Sequence, residues 1–284
     1  MAATVRVVQL TPVYGERAVV RAEPLIADPA TPLLRQHRRL AATLATLDDG
    51  QWAAPSRCEG WSVQDVVAHL VTATQFWAFS IDAGLRGEPT RFLATFDPVA
   101  TPAEMVAAVR STSPQQTLEQ LVETNDALAG AIERVDGAWS TPAEAPPGHI
   151  AIALLAQHAL WDSWVHERDI VLPLALPCTV EADEVAAALT YAAALSPAFL
   201  ACHGSTRAGV VEVCCTDPDV RVRVEVGAQV VIGDGPAPAD SIQITGDAVA
   251  VLEALSHRGP YPVPLALEDR WVLGGLEEAF DVVG

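Results

Sequence analysis

Residues 157–169 constrain the fold of this chain more than any other segment, because three of them share one face of a helix. His158, Asp162 and His166 are spaced four residues apart, and side chains at that spacing stack over one another along a helix. Unpaired polar groups cost free energy inside a core, so these three groups need a partner. The helix is expected to be mostly buried, because its other neighbours are apolar: Leu154, Leu155, Trp161 and Val165.

A divalent metal ion would satisfy these groups together. A further histidine, His69, lies among apolar residues in an earlier helical segment. The sequence therefore predicts a metal site between two helices, with His69, Asp162 and His166 as ligands. Three protein ligands and one open position are the usual arrangement of catalytic zinc. Two alternatives stay open: His69 is an ordinary core histidine, or the Asp–His pair is hydrogen-bonded without a metal.

Composition limits the classes of partner. The chain has 284 residues, of which 50% are hydrophobic and 19% charged, so it can form a sizeable core. Its formal net charge of −19 disfavours nucleic acid and anionic membrane surfaces, whose phosphates would repel it. We find no apolar run of membrane-spanning length and no continuous apolar signal core at the N-terminus. We therefore expect a cytoplasmic protein.

The 17 basic residues are all arginine. The absence of lysine excludes a lysine Schiff base and a phosphate-loop lysine. Arginine in place of lysine, with abundant Ala, Val and Pro, is typical of a high-GC genome such as an actinobacterial one. The five cysteines show neither a disulfide framework nor CxxC spacing, so we interpret most of them as small buried hydrophobes.

The periodicity of apolar residues changes along the chain and predicts an α+β protein with two domains. Residues 1–30 alternate around a Tyr-Gly-Glu turn, which predicts an N-terminal β-hairpin extension. A helical bundle is expected over 31–175, in which Ser62 and Asp65 form a capping box and the helix with the paired ligands covers about 149–169. A proline-rich break separates it from a C-terminal α+β domain over 181–284. This domain is expected to contain a helix (182–202), four strands (209–215, 220–226, 228–233 and 241–245) and a helix to about 256.

Two segments resemble signatures of the mycothiol-dependent maleylpyruvate isomerase family. Residues 58–70 (CEGWSVQDVVAHL) resemble its "GW(S/T)v-dvvaHl" signature, and residues 164–170 (WVHERDI) resemble its "wvHe-Di" signature. The resemblance implies a DinB-like metal-binding four-helix bundle, followed by a small sterol-carrier-like α+β domain. It also implies that His69, Asp162 and His166 are the metal ligands. The isomerase has Glu where this chain has Asp162, so the ion must sit closer to that helix.

The resemblance further implies a thiol cosubstrate, mycothiol. In the family reaction the thiolate adds to the cis double bond of maleylpyruvate, the intermediate rotates, and elimination gives the trans product. The family uses an arginine from its C-terminal domain, and Arg258 matches that segment loosely. Arg258 is thus our candidate catalytic residue for holding a substrate carboxylate, although an arginine here can also neutralise the end of a helix. His158 is expected in the core or beside a ligand, because a fourth protein ligand would close the open position.

The sequence itself contains no GxSxG, HExxH or CxxC nucleophile signature. A nucleophile supplied from outside is therefore favoured, and the expected function is a metal-dependent (zinc-dependent in the favoured case) and thiol-dependent isomerase or S-transferase for a small electrophile. Two alternatives stay open: a non-catalytic small-molecule binding protein on the same scaffold, and a metal-dependent hydrolase. Neither the sequence nor the resemblance fixes the oligomeric state.

Overall fold

The computed structural model describes residues 11–15, 17–24 and 26–279. Its N-terminal half is a bundle of four long helices, as the sequence predicts. Helix α3 packs against α5 and α6, and α1 packs against the same two helices. The four helices are α1 (Thr31–Leu44), α3 (Val63–Leu85), α5 (Pro114–Glu133) and α6 (Ile152–Val171), while the short α2 (Asp49–Trp52) and α4 (Ala100–Val109) lie in the connections.

The start of α3 is fixed by the predicted capping box. Ser62 accepts a hydrogen bond from the Asp65 backbone N–H, and the Asp65 side chain accepts one from the Ser62 backbone N–H. These two bonds satisfy amide groups that a helix N-terminus otherwise leaves without partners. The first turn of α3 is thereby held, and His69 stands on the turn that follows it.

A short hairpin precedes α6, where the sequence predicted the helix to begin at about residue 149. Strand β2 (Pro142–Ala145) pairs antiparallel with β3 (Gly148–Ala151), and α6 starts only at Ile152. Gly148 has a φ of +117°, which other residues rarely adopt. Its backbone also forms a bridge to Val13, so residues 148–151 pair as a strand instead of extending the helix.

The C-terminal part is built on a five-stranded sheet in the order β1-β6-β5-β4-β7. The four predicted strands are present as β4 (Gly209–Thr216), β5 (Val220–Val226), β6 (Val230–Gly233) and β7 (Ile242–Asp247). The alternation of valine and charged residues in β5 is matched by alternating burial and exposure. The helices of this part are α7 (Ala182–Cys202), α8 (Ala248–Leu255) and α9 (Gly274–Ala279).

The N-terminal extension contributes the edge strand of this sheet. Strand β1 (Val20–Glu23) pairs parallel with β6, from Val20 opposite Val230 to Glu23 opposite Gly233. The first arm of the predicted hairpin lies outside the described residues. The arm that is described thus obtains its partner from the C-terminal domain, which sequence periodicity could not indicate because the partner strand is some 210 residues away.

Helix α7 joins the two halves. It packs against α6 on one side and against β5 and β6 on the other, so that one apolar cluster contains Leu155, Leu189 and Val224. Contrary to expectation, α7 is long and apolar enough to cross a membrane, with a mean hydropathy of 1.7. However, 67% of the 18-residue apolar stretch of α7 is buried inside the protein. Core helices of soluble proteins have the same character, and this burial explains the composition of α7.

Candidate metal centre

The three predicted ligands converge between α3 and α6. The carboxylate Oδ1 of Asp162 lies 3.7 Å from His69 Nε2 and 3.6 Å from His166 Nε2. The two imidazole ring centres are 4.9 Å apart. All three side chains are 12–17% exposed, so the cluster is covered but reachable from solvent. His69 is therefore not an isolated core histidine, which was one of the two alternatives to a metal ligand.

The spacing of these atoms suits an ion better than direct hydrogen bonds. Contacts of 3.6–3.7 Å are too long for hydrogen bonds to a carboxylate. Ligand atoms around a tetrahedral zinc ion lie about 3.4 Å apart, given bonds of about 2.0–2.1 Å. The three residues therefore fit a divalent ion, and their donor set of two imidazoles and one carboxylate is typical of zinc.

The charge of the cluster is compatible with cation binding. Burial by itself would raise the pKa of Asp162, but the neighbouring His69 and His166 imidazoles hold the pKa of this carboxyl well below its usual range. Asp162 is therefore a carboxylate at neutral pH, which is the form that ligates a metal.

His166 is oriented by Asp169 through its second ring nitrogen. His166 Nδ1 lies 3.0 Å from Asp169 Oδ2, and Asp169 is fully buried. Burial would raise the pKa of Asp169, but hydrogen bonds from His166 and Arg258 lower it well below its usual range. Because a carboxylate only accepts, Nδ1–H donates and the Nε2 lone pair faces His69 and Asp162. This carboxylate–histidine arrangement is the common support of metal-bound imidazoles.

Arg258 contacts Asp169 and does not point freely into the site. Its Nε donates to both carboxylate oxygens at 2.9 and 3.1 Å, its Nη2 donates to Oδ2 at 2.9 Å, and its Nη1 donates to the Ser256 carbonyl at 3.3 Å. Arg258, the candidate catalytic residue, thus reaches from the C-terminal domain to Asp169 beside the candidate metal centre. In this structure its guanidinium binds a carboxylate of the protein.

Cys58 completes the group around Asp169. Its thiol donates to Asp169 Oδ2 at 3.2 Å, and its sulfur lies 3.7 Å from His166 Nδ1 and 3.6 Å from Arg258 Nη2. Burial, together with the nearby Asp169 charge, raises the pKa of this thiol to about 12. Cys58 is therefore protonated, and it lies on the side of the His166 ring away from His69 and Asp162.

Further ion pairs attach α8 to the bundle beside this centre. Glu253 accepts from Arg168 Nε at 2.7 Å and from Arg57 Nη1 at 2.9 Å. Arg57 Nη2 also donates to the Arg258 carbonyl at 3.0 Å. The turn after α8 places His257 at a φ of +55°, a conformation that non-glycine residues rarely adopt. The geometry of this turn brings Arg258 to Asp169.

His158 lies one turn before Asp162 in a box of aromatic rings. Its ring centre is 4.6 Å from that of Trp77, 5.0 Å from Tyr191 and 5.6 Å from Trp161. Burial lowers its pKa to about 4, so it is neutral. Among the described residues, it is not in either group of side chains whose geometry suits a metal ion.

Comparison with known proteins relates the bundle to a described domain. Residues 33–171 match the family described as "Mycothiol maleylpyruvate isomerase N-terminal domain". The helical bundle of this chain is similar to that domain. The match contains all three candidate ligands and Asp169, and it ends before Arg258.

Two solved structures, of the mycothiol-dependent maleylpyruvate isomerase and of a histidine-to-alanine mutant of that enzyme, share the fold. Each has a TM-score of 0.56 at 16% sequence identity, over 82% of this chain and 92% of the other. At that identity the similarity shows the fold alone. No curated protein sequence is significantly similar to the chain.

The sequence motifs predict no role for Cys58, and they do not identify Arg57 or Glu253 as neighbours of the site. The only available signal was the place of Cys58 and Arg57 just before the Gly60-Trp61 turn that leads into α3. Glu253 lies about 85 residues after α6 and has no motif of its own. Its role follows from how α8 packs against the bundle.

Proposed function

We propose that this protein is a metal- and thiol-dependent isomerase or S-transferase acting on a small electrophile, with mycothiol as the thiol. The observation that carries the proposal is the convergence of His69, Asp162 and His166 at a spacing suited to one ion. The family of the bundle supports the choice of thiol. Zinc is the ion we favour, from the nitrogen and oxygen donors.

The three ligands leave a position for a thiol or a substrate. A zinc ion bound there would lower the pKa of a coordinated thiol and so provide a thiolate near neutral pH. The protein's own part is to orient His166 through Asp169, to keep Asp162 ionised, and to shield the site with the Trp61 ring, which is 5.6 Å from His69.

The position of Cys58 supports an external nucleophile. Its sulfur is on the Nδ1 side of His166, where it donates to Asp169, and the proposed reaction takes place on the Nε2 side. A substrate beside His69 and Asp162 is therefore separated from the Cys58 sulfur by the imidazole ring. A diffusible thiol is not separated from the substrate by the imidazole ring.

The role of Arg258 follows from its partners. We propose that it positions Asp169, and through Asp169 the His166 ring. Binding a substrate carboxylate, the role suggested by the resemblance, would require Arg258 to leave Asp169, a fully buried carboxylate. Maleylpyruvate is consequently one candidate substrate among small electrophiles.

A cytoplasmic location in an actinobacterial host is part of the same proposal. It is supported by the arginine-only basic residues, by the proposed use of a low-molecular-weight thiol, and by free cysteines in the described structure. The proposed partners are the thiol and the electrophile, and the net charge of −19 disfavours nucleic acid and anionic membranes.

The test is turnover by zinc-loaded protein, with maleylpyruvate and a panel of activated alkenes and epoxides, in the presence and absence of mycothiol. We expect turnover that requires both metal and thiol. Metal-dependent turnover without thiol would instead identify a hydrolase. Tight binding of a small molecule without turnover would identify a binding protein.

A further inference from the structure

His166 belongs to two clusters of possible metal ligands. On its Nε2 side are His69 and Asp162, and on its Nδ1 side are Cys58 and Asp169. In each cluster the ligand atoms lie within 4.8 Å of one another. The proposed function uses the first cluster only. The second has not been assigned a role beyond orienting His166.

The second cluster also has the spacing of a metal site. Cys58 Sγ lies 3.2 Å from Asp169 Oδ2 and 3.7 Å from His166 Nδ1, while Nδ1 and Oδ2 are 3.0 Å apart. Around a tetrahedral zinc ion, a sulfur and a nitrogen ligand lie about 3.6 Å apart. Thiolate, imidazole and carboxylate groups each bind zinc in proteins. Distances alone therefore do not explain why an ion should prefer the Nε2 side.

The two clusters differ in their neighbouring charge. The Arg258 guanidinium contacts two of the three groups of the second cluster, with Nη2 2.9 Å from Asp169 Oδ2 and 3.6 Å from Cys58 Sγ. Arg57 Nε adds a second positive charge 3.6 Å from Asp169 Oδ1. A metal ion in this cluster would be placed against a guanidinium in a poorly hydrated setting, where like charges repel strongly.

We propose that Arg258 is a built-in cation that occupies the Cys58–Asp169–His166 cluster and thereby confines the metal to the Nε2 side of His166. The C-terminal domain, through one arginine, determines which side of a bundle histidine binds the ion. The inference rests on the proposed metal centre because both clusters share His166. Without the guanidinium, an ion on the Nδ1 side would form bonds to Sγ, Nδ1 and Oδ2, the Cys58 proton would go to solvent, and the His166 proton would move from Nδ1 to Nε2.

The test is a cobalt titration, since a cobalt–thiolate bond gives a charge-transfer band in the near ultraviolet. We expect the native protein to bind cobalt without this band. Arg258→Gln should show the band, and R258Q/C58S should lose it. R258K, which keeps the positive charge, should resemble the native protein. Arg168→Gln is the matched control, because Arg168 is also at the α8 interface but pairs with Glu253 and Cys178.

Folded R258Q that binds cobalt without a Cys58-dependent band would overturn the inference, and so would the band in R168Q. A second measurement uses the native protein, so it does not depend on the stability of a variant. Cadmium, which favours thiolate ligands, should bind without a cadmium–thiolate band. If the native protein shows such a band and C58S does not, Arg258 does not keep metal ions out of the Cys58–Asp169–His166 cluster. A native protein that binds no metal would contradict the proposed function itself.

Discussion

At the scale of single residues, the two ring nitrogens of His166 face different groups. Nδ1 donates to Asp169 at 3.0 Å, so Nε2 is left as the nitrogen that faces His69 and Asp162. His158, one turn before Asp162 on α6, is surrounded by aromatic rings. Two histidines on one helix therefore have different roles, although their spacing to Asp162 is the same.

Metal analysis of His166→Ala and His158→Ala separates these roles. We expect about one divalent ion per chain in the native protein, nearly none in H166A, and most of the ion retained in H158A. Circular dichroism checks that both variants are folded. An H166A protein with full metal content would show the ligand assignment to be wrong. Loss of metal in folded H158A would show that His158 is a fourth ligand.

His37 should make stability depend on pH. Burial lowers the pKa of this α1 side chain to about 4, whereas the unfolded chain has the ordinary histidine value of about 6.5. The unfolded state therefore binds the proton more tightly between these values. The stabilisation is fully present above about pH 6.5 and is lost as the pH falls towards about 4.

We predict that His37→Asn flattens the decrease in the free energy of unfolding between pH 6.5 and 4, as measured by urea denaturation. An unchanged slope in H37N would contradict the expectation that His37 is buried in its neutral form.

At the scale of elements, α1, α6 and α7 are joined by ion pairs that are largely buried. Arg39 on α1 donates to Glu167 on α6 at 2.8 Å and to Glu184 on α7 at 2.6 Å. Glu184 is fully buried and also accepts from Arg35 at 2.8 Å. Removing one member of a buried pair leaves the other charge without compensation.

Arg39→Met should lower the free energy of unfolding by about 3 kcal/mol, the usual cost of breaking a buried ion pair. Arg38→Met, at the exposed neighbouring position of the same helix, should change it by less than about 0.5 kcal/mol. Denaturant unfolding of both variants measures the difference. Equal effects at the two positions would mean that the Arg39 contacts do not stabilise the packing of α1.

At the scale of the whole molecule, the bundle and the sheet share one apolar cluster through α7. The Glu253 and Arg258 contacts connect the same two parts beside the candidate metal centre. Parts that share a large apolar interface are expected to unfold together. The two predicted domains are therefore expected to unfold as one cooperative unit.

Calorimetry of the metal-free protein should show a single unfolding transition, with equal calorimetric and van't Hoff enthalpies. Glu253→Gln should lower the transition temperature without splitting the transition, because the apolar contacts of α7 remain. Two resolved transitions in the native protein would show that the halves are independently stable.

The sequence predicted those features that depend on local periodicity and on short motifs. Three such features each lie within a single element. They are the 3.6-residue period of α3 and α6, the Ser62–Asp65 cap and the two-residue period of β5. The four-residue spacing of Asp162 and His166 similarly identified a polar face on an apolar helix. The predicted start of α6, at about residue 149, was too early, because the helix begins at Ile152. Gly148 pairs with a distant residue, Val13, and the local sequence pattern does not reveal this pairing.

The sequence by itself thus determined the helices that carry His69, Asp162 and His166, the alternating strands and the candidate ligand set, because each follows from side chains that are near one another along the chain. Only the tertiary structure decided that β1 joins the C-terminal sheet and that Arg258 lies on Asp169 beside Cys58. The physical reason is that these contacts join residues about 90 to 210 positions apart. Their energies depend on how α8, α6 and the N-terminal segment pack, and no local propensity encodes that packing.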